Sequence, residues 1–381
     1  MNSDQPKTDL KNLTQEQLIR FVESLGQPAF RGRQILAWIY KPGITDFAEM
    51  TDLAKEFRAA LAASATMSRF TGSMVECSQD GAVKFAFRLE DDHLIESVLI
   101  PEEDRNTLCV SSQVGCAMGC GFCLTGTMGF RRNLTTAEIV NQVCAVRDWA
   151  LSHDRGPLTN VVFMGMGEPL ANFDHLLDAI SILTEQRGLD FSNRRITVST
   201  CGLVPQMKML GDLTDVNLAV SLHAADDAVR TRLMPVNKRY PLAELIETCR
   251  TYRQKRRKRI MFEYTLLDGI NDSDADAEKL ASLLREVPCK INLLSVNPAG
   301  DVNFRSPNPE RVLRFQKILR DRGFTVFIRQ SRGEDISAAC GQLAGKGWRE
   351  KTAEEPDTGA ALVQEAGQGQ EGRSAEGRVI P

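Results

Sequence analysis

From residue 105 onward, short β-rich runs alternate with stretches of helical periodicity. The runs fall at 107–112, 160–165, 195–200, 217–223, 260–267, 291–296 and 324–330. Helical stretches such as 136–152, 174–186 and 309–322 lie between them. Repeated β-α-β units predict an α/β fold with a parallel sheet and helices outside it. Six or more units suggest an incomplete or complete (β/α) barrel over 105–345. A doubly wound open sheet is the alternative, but no GxGxxG follows the first run.

Upstream the periodicity differs. Thr14 and Gln17 form a capping-box pair, Leu18, Phe21 and Val22 supply an apolar stripe, and Gly26 ends the pattern. Further helices fit 31–40 and 52–62. The stretch VKFAFRLEDDHLIESVLI then reads as two strands around a charged turn at Asp91 and Asp92. Residues 1–100 are therefore predicted to form an accessory region, a small helical unit followed by a β-hairpin. Residues 101–345 form the barrel with its last cysteine segment. The first twelve residues are expected to be disordered, and so is the tail 346–381. That tail is rich in Gly, Glu, Gln and Ala and has too little apolar surface to offset chain entropy.

Composition narrows the class. The chain has no apolar run of membrane-spanning length. Its polar N-terminus lacks the apolar core of an export signal, so a cytoplasmic protein is expected. Ten cysteines spread over 381 residues do not resemble a disulfide scaffold. In a reducing compartment they are buried, metal-bound or catalytic. The net charge of −3 conceals an acidic end, with seven acids and three bases in 350–381, so the body is nearly neutral. Such a body neither demands nor excludes a nucleic-acid partner.

The candidate chemistry sits in CAMGCGFC, which places Cys116, Cys120 and Cys123 directly after the first barrel strand. In β/α barrels the active site lies at the C-terminal strand ends. A structural zinc site wants four ligands, and no nearby Cys or His completes a set. Three thiolates on one loop suit a [4Fe–4S] cluster with its fourth iron open. Gly115, Gly119 and Gly121 let the loop curl, and Phe122 is placed to shield the cluster. A set of three zinc or structural cysteines is the plainer alternative.

The spacing CxxxCxxC, with an aromatic residue before its last cysteine, resembles the signature of radical S-adenosylmethionine (SAM) enzymes. That resemblance implies a partial (β/α)6 barrel and an open iron that chelates SAM. Five further stretches, CVSSQVGCAMGC, MGMGEPL, RLMPVNKRYPL, LLDGIND and RGEDISAACGQL, resemble the RlmN/Cfr family of RNA adenine methyltransferases. FRGRQILAWIY resembles that family's N-terminal unit, so the likeness covers about 14–345.

The family's chemistry explains the additional cysteines. Adenine C2 is electron-poor and does not attack a methyl group, so the methyl is first loaded onto a protein cysteine. The resemblance assigns that carrier role to Cys340. Cys109 would resolve the resulting protein–RNA adduct as a disulfide, and Glu96 would accept the C2 proton. On pattern alone, Glu96 reads as a solvated strand face and the two cysteines as inert buried thiols. The SAM pocket would comprise Gly167 and Glu168 for the amino group, with Ser199, Ser221, Leu222, His223 and Asn297 for the carboxylate, ribose and adenine. Cys201 stands where Ser is expected. Cys77, Cys144, Cys249 and Cys289 read as packing.

The expected partners are 23S rRNA in a protein-poor state, some tRNAs, and a low-potential electron donor of flavodoxin type, with the enzyme a monomer. Methylation at C8 of the same base, as in the Cfr branch, is the alternative. A non-catalytic metal-containing RNA-binding protein is the alternative of another class. The run RTYRQKRRKR (250–259) holds seven bases in ten residues, and reads either as a solvated helix end or as a distal phosphate contact. Better candidates for contacting substrate RNA are Arg131 and Arg132 beyond the cysteine loop, Lys238 and Arg239, and the accessory region with Arg31 and Arg33. A target base must leave its stack to reach the cluster.

Overall fold

The computed structural model describes residues 7–41, 43–252, 259–297 and 304–344. The predicted tail 346–381 and residues 253–258 of the basic run lie outside them. The chain begins with β1 (Thr8–Asp9), α1 (Gln15–Ser24), α2 (Phe30–Tyr40), α3 (Lys55–Ser64) and β2 (Ala65–Thr66). The reciprocal Thr14–Gln17 capping box starts α1, which buries Leu18 and Val22. Residues 8–12, expected to be disordered, are ordered instead. β1 pairs in parallel with β2, and Leu10 is buried. That pairing is non-local, so no local signal announced it.

The predicted hairpin lies within a larger antiparallel unit: β3 (Ser73–Cys77), β4 (Val83–Arg88), β5 (Leu94–Glu102) and β6 (Arg105–Cys109). Asp92 takes the left-handed conformation, φ 63°, in the charged turn. A small ribbon follows, β7 (Gln113–Gly115) and β8 (Phe130–Asn133), with the one-turn helix α4 (Leu124–Thr127) between its strands. The β/α alternation then runs through α5 (Thr136–Ser152), β9 (Asn160–Phe163), α6 (Phe173–Thr184), β10 (Ile196–Thr200), α7 (Val204–Leu213) and β11 (Asn217–Ser221). It continues with α8 (Asp227–Leu233), α9 (Leu242–Thr251), β12 (Ile260–Leu266), α10 (Asp274–Leu284), β13 (Cys289–Ser295), α11 (Pro309–Asp321) and β14 (Thr325–Arg329).

One ten-stranded sheet, in the order β14-β13-β12-β11-β10-β9-β6-β5-β4-β3, carries the whole molecule. From β6 to β14 every neighbouring pair is parallel. These strands are mostly continuous apolar runs because helices cover them. The antiparallel strands simply extend the same sheet beyond β6. Among the described residues β14 and β3 do not pair with each other, so the barrel stays open. The chain after β14 nevertheless reaches the β3–β4 turn, and Arg329 lies 3.6 Å from Glu102 at the end of β5. The two ends of the sheet are thus drawn together around the C-terminal ends of the parallel strands.

Candidate active site: a three-cysteine loop beside a thiol pair

The loop between β7 and β8 carries Cys116, Cys120 and Cys123. Gly115 is left-handed, φ +73°, and a Cβ there would stand 1.9 Å from the Gly129 carbonyl oxygen. The same oxygen accepts the Cys116 N–H at 3.0 Å, which closes the base of the loop. Gly126 packs against the backbone of Cys120, with a virtual Cβ 3.0 Å from that residue's oxygen. The Gly121 N–H donates to the Leu233 carbonyl at 2.9 Å, which ties the loop to α8. Burial, with the neighbouring thiols adding, pushes Cys120 far above its ordinary value, and Cys116 is pushed up to about 12 by burial. A separate apolar cluster of Cys201, Leu233, Met234, Leu267 and Val296 surrounds the loop, joined by Met118, Phe122 and Phe304.

The strand ends supply polar groups facing the loop. Glu168 is buried and accepts the Cys201 N–H at 2.8 Å and the Leu170 N–H at 3.1 Å. Burial raises its carboxyl despite those donors. Gly167 has φ +97°, and a Cβ there would strike the Gln113 side chain at 2.5 Å. Gln113 in turn accepts the Glu168 N–H at 2.9 Å. Cys201 is a neutral thiol pushed well up by burial and by Glu168, to which it donates. It therefore does what a serine hydroxyl would do there.

Ser199 and Ser221 are half-buried near the ends of β10 and β11, and Leu222 is fully buried. His223 has φ 55°, an unusual conformation for a side-chain-bearing residue. Its Nδ1 accepts the Thr265 N–H at 2.9 Å, which assigns the ring proton to Nε2. Burial, then Arg230, lowers it to about 3, so the ring is neutral. Phe122 meets its ring edge-on, with centroids 4.7 Å apart.

Three residues escaped the sequence reading. Arg230 is fully buried, and its guanidinium donates to the Cys201 carbonyl (2.7 Å), the Leu222 carbonyl (3.2 Å) and the Asn237 Oδ1 (2.8 Å). It locks the ends of β10 and β11 to the turn after α8. The sequence did not single it out, because α8 carries Arg232 as well. Glu263, inside β12, is bonded by the Asn292 amide at 3.0 Å and pushed up to about 7 by burial. Lys84 is buried on β4, 3.0 Å from Glu76 and 3.7 Å from Glu96.

The remaining predicted residues come together opposite the loop. Glu96 is buried, so the solvated-strand reading is wrong. It shares one sheet face with Lys84, Val98 and Cys109, because Val98 pairs with both Lys84 and Cys109. The segment carrying Cys340 crosses this face. The Ala344 N–H donates to the Glu96 carboxylate at 2.8 Å, and the Asn297 amide donates to the Cys340 carbonyl at 3.0 Å. On the other side the Leu124 N–H donates to the Gly341 carbonyl at 2.7 Å, and the Thr125 hydroxyl to the Leu343 carbonyl. Cys340 is exposed to solvent yet crowded by neighbouring protein, which pushes it up to about 11. Cys109 is buried and raised further, first by burial and then by its electrostatic interaction with Cys340. Both thiols are free.

Residues 110–284 match the Radical SAM superfamily, and residues 8–67 match the ribosomal RNA large subunit methyltransferase N-terminal domain. The dual-specificity RNA methyltransferase RlmN of Desulfotalea psychrophila is 60% identical over 90% of this chain and 97% of its own length. That of Geobacter sulfurreducens is 54% identical over 89% and 92%. A crystal structure of a radical SAM methyltransferase from Sphaerobacter thermophilus superposes with a TM-score of 0.84 at 47% identity, covering 89% of this chain and all of that one.

The chain belongs to the RlmN family.

It is accordingly a radical SAM RNA methyltransferase with a partial-barrel fold. The family implies a [4Fe–4S] cluster and SAM, and the residues fit both. Among the described residues no three His, Cys, Asp or Glu side chains converge on a single-ion site. A cubane spreads its ligands over separate irons, so three thiols arrayed along a glycine-rich loop suit it better than they suit one zinc. Glu168, a buried carboxylate that interacts with Cys116 and Cys120, suits the ammonium group of SAM.

The RlmN-family loop makes one sharp prediction. Gly115→Ala combines a forbidden φ with a clash into Gly129, and will cost well over about 1 kcal/mol locally. The expected result is a fall in iron and sulfide bound per chain after anaerobic reconstitution. Wild-type iron content in that variant would refute this account of the loop. Of the basic residues near the site, Arg132 is already committed to Asp91 (2.6 Å) and Glu138 (2.8 Å), whereas Arg131, Lys238 and Arg239 are exposed.

Proposed function

We propose that this enzyme transfers a methyl group to C2 of an adenosine in 23S rRNA, and to the adenosine 3′ of the anticodon in some tRNAs, with Cys340 as the methyl carrier. The observation that carries this reading is the position of the 340–344 segment. It is bonded at once to the cysteine loop and to Glu96, and Glu96 shares its sheet face with Cys109. The names of the relatives at 60% and 54% identity support the RNA substrates.

When bound, the cluster with SAM supplies a radical able to remove a hydrogen atom from an S-methyl group. The chain's own residues do the rest. The Cys340 sulfur takes a methyl from one SAM and presents it between the loop and the hairpin face. The carbon generated there adds to adenine C2 and leaves an S–CH2–C2 bridge between protein and RNA. Glu96 takes the C2 proton from the adduct radical, which must also give up one electron before the ring regains its aromaticity; the oxidised cluster, when bound, would be the acceptor of that electron. The Cys109 sulfur then attacks that of Cys340. The S–CH2 bond breaks, a disulfide forms, and the released carbon is protonated to a methyl group. A base reaches the Cys340 sulfur only if it is splayed out of its stack, so RNA not yet packed by ribosomal proteins is the substrate. A low-potential donor of flavodoxin type supplies the electrons, and the enzyme works as a monomer.

The test is nucleoside mass spectrometry of a 23S rRNA fragment and a tRNA transcript treated with reconstituted enzyme, reductant and methyl-labelled SAM. The expected product is 2-methyladenosine in both. Label at C8 would replace this reading with the Cfr-type alternative. Absence of both the labelled base and 5′-deoxyadenosine would refute the enzymatic role.

A further inference from the structure

The segment that carries Cys340 is fastened to the accessory hairpin by two carboxylates that grip in opposite directions. Asp80, in the β3–β4 turn, accepts the Gly333 N–H at 2.9 Å. Asp335, on the returning segment, accepts the Ser78 hydroxyl at 2.6 Å and the Gln79 N–H at 3.1 Å. Arg332 adds a bond to the Asp80 carbonyl at 3.2 Å, and Lys84 donates to the Ile336 carbonyl at 2.6 Å. Close packing reinforces the grip. Gly333 is left-handed, φ +69°, and a Cβ there would stand 2.7 Å from the Ala338 side chain. The bonded partners are about 250 residues apart in sequence, so the clasp is purely tertiary.

The hydrogen bonds are charge-assisted, and their electrostatic signature is consistent. Bonding by Ser78, then Gln79, holds the Asp335 carboxyl below its ordinary value. Asp80 is pulled upward by burial, but N–H donors from Ala82 and Gly333 carry it below its ordinary value overall. Both groups are therefore ionised throughout the neutral range.

The clasp holds only one end of the segment. From Ile336 the chain passes through Ala338 and Ala339 to Cys340, whose carbonyl accepts from Asn297, and at Gly341 it is fastened to α4 of the cysteine loop. Cys340 thus lies between two anchors, one on the hairpin and one on the loop. A thiol that must meet a methyl donor on one side and Cys109 on the other needs its position fixed from both. We infer that Asp80 and Asp335 are positioning residues for Cys340: they set its placement for methyl loading and resolution without touching substrate. This rests on the carrier role proposed above for Cys340.

The experiment compares Asp335→Asn, Asp335→Ala and Asp80→Ala with wild type in the full-length holoenzyme. It measures kcat and KM for RNA, 5′-deoxyadenosine formation, bound iron, and the rate of Cys340 alkylation by iodoacetamide mapped by peptide mass. Loss of one charge-assisted bond at a positioning site should lower kcat about tenfold. KM for RNA, bound iron and SAM cleavage should stay at wild-type levels, while Cys340 alkylates several-fold faster. Asp335→Asn, which keeps the shape and one acceptor oxygen, should fall between wild type and Asp335→Ala. Wild-type kcat in both alanine variants overturns the inference. So does a fall in kcat matched by loss of iron, because that reports unfolding. Failure of the carrier role itself is read separately. Cys340→Ala would then still methylate RNA, whereas the alkylation arm would continue to report the clasp.

Discussion

Replacing Cys340 with alanine will reduce methyl transfer to RNA to background, while the cluster still assembles and SAM is still cleaved on reduction. The expectation follows from what Cys340 touches and what it does not. Its backbone is held by Asn297 at 3.0 Å, and its neighbours Gly341 and Leu343 by the cysteine loop, so the anchors survive loss of the sulfur. Cys340 is solvent-accessible, so truncation opens no sealed cavity and should cost well under about 1 kcal/mol. The three loop cysteines lie on a different stretch, organised by Gly115, Gly126 and the α8 contact. What disappears is the exposed thiol of this junction that lies outside the cysteine loop. Neither Cys109 nor Cys201 can replace it, because both are buried and raised by burial. Mass spectrometry of the protein after incubation with SAM alone should find a methylated peptide at 340 in the wild type and none in the variant. Appreciable RNA methylation by the variant would remove Cys340 from the chemistry.

The legible and illegible parts of this molecule divide along a physical line. Local signals read correctly. The Thr14–Gln17 capping box and the Leu18–Val22 stripe announced α1, because both act within one helix. The seven apolar runs announced the parallel strands, because a strand covered by helices is apolar along its length. The cysteine loop was legible because thiolate spacing on a short loop constrains the metal group directly. Interactions closed across hundreds of residues were not legible. Lys84 read as a strand lysine, yet it is buried between Glu76, Glu96 and a carbonyl some 250 residues later. Arg230 gave no hint of being fully buried, since its partners are strand-end carbonyls that exist only once the sheet is formed. Asn297 was expected to hold SAM. What the sequence did not announce is that its amide donates to the Cys340 carbonyl and its oxygen accepts the Ser331 hydroxyl at 2.6 Å. Disorder was over-assigned at 8–12 for the same reason, because the pairing partner of β1 lies past three helices.

Cys109→Ala is the sharper test, because it should turn an enzyme into a trap. Under the function proposed above, methyl loading and addition to the base proceed with Cys340 intact, and the S–CH2 bridge forms. Without a thiol at 109 nothing attacks the Cys340 sulfur, so the bridge persists. The product should be a protein–RNA adduct that survives denaturing gels, disappears on ribonuclease treatment, and leaves a nucleotide mass on the peptide containing Cys340. The other cysteines do not rescue the variant. Cys201 donates to Glu168, Cys144 is buried on α5, and Cys249 and Cys289 neighbour each other away from the loop. Cys123 interacts with Cys340, but it is committed to the cysteine loop. Replacing a small buried side chain on β6 should cost about 1 kcal/mol, against a total stability of roughly 5–15 kcal/mol, so the variant folds. Its Cys340 should also take up methyl at the wild-type rate, since Cys109 acts only after addition. Multiple turnover by Cys109→Ala without any adduct would assign resolution to another group. An adduct that also accumulates in Cys340→Ala would place the bridge on a different sulfur and undo the carrier assignment with it.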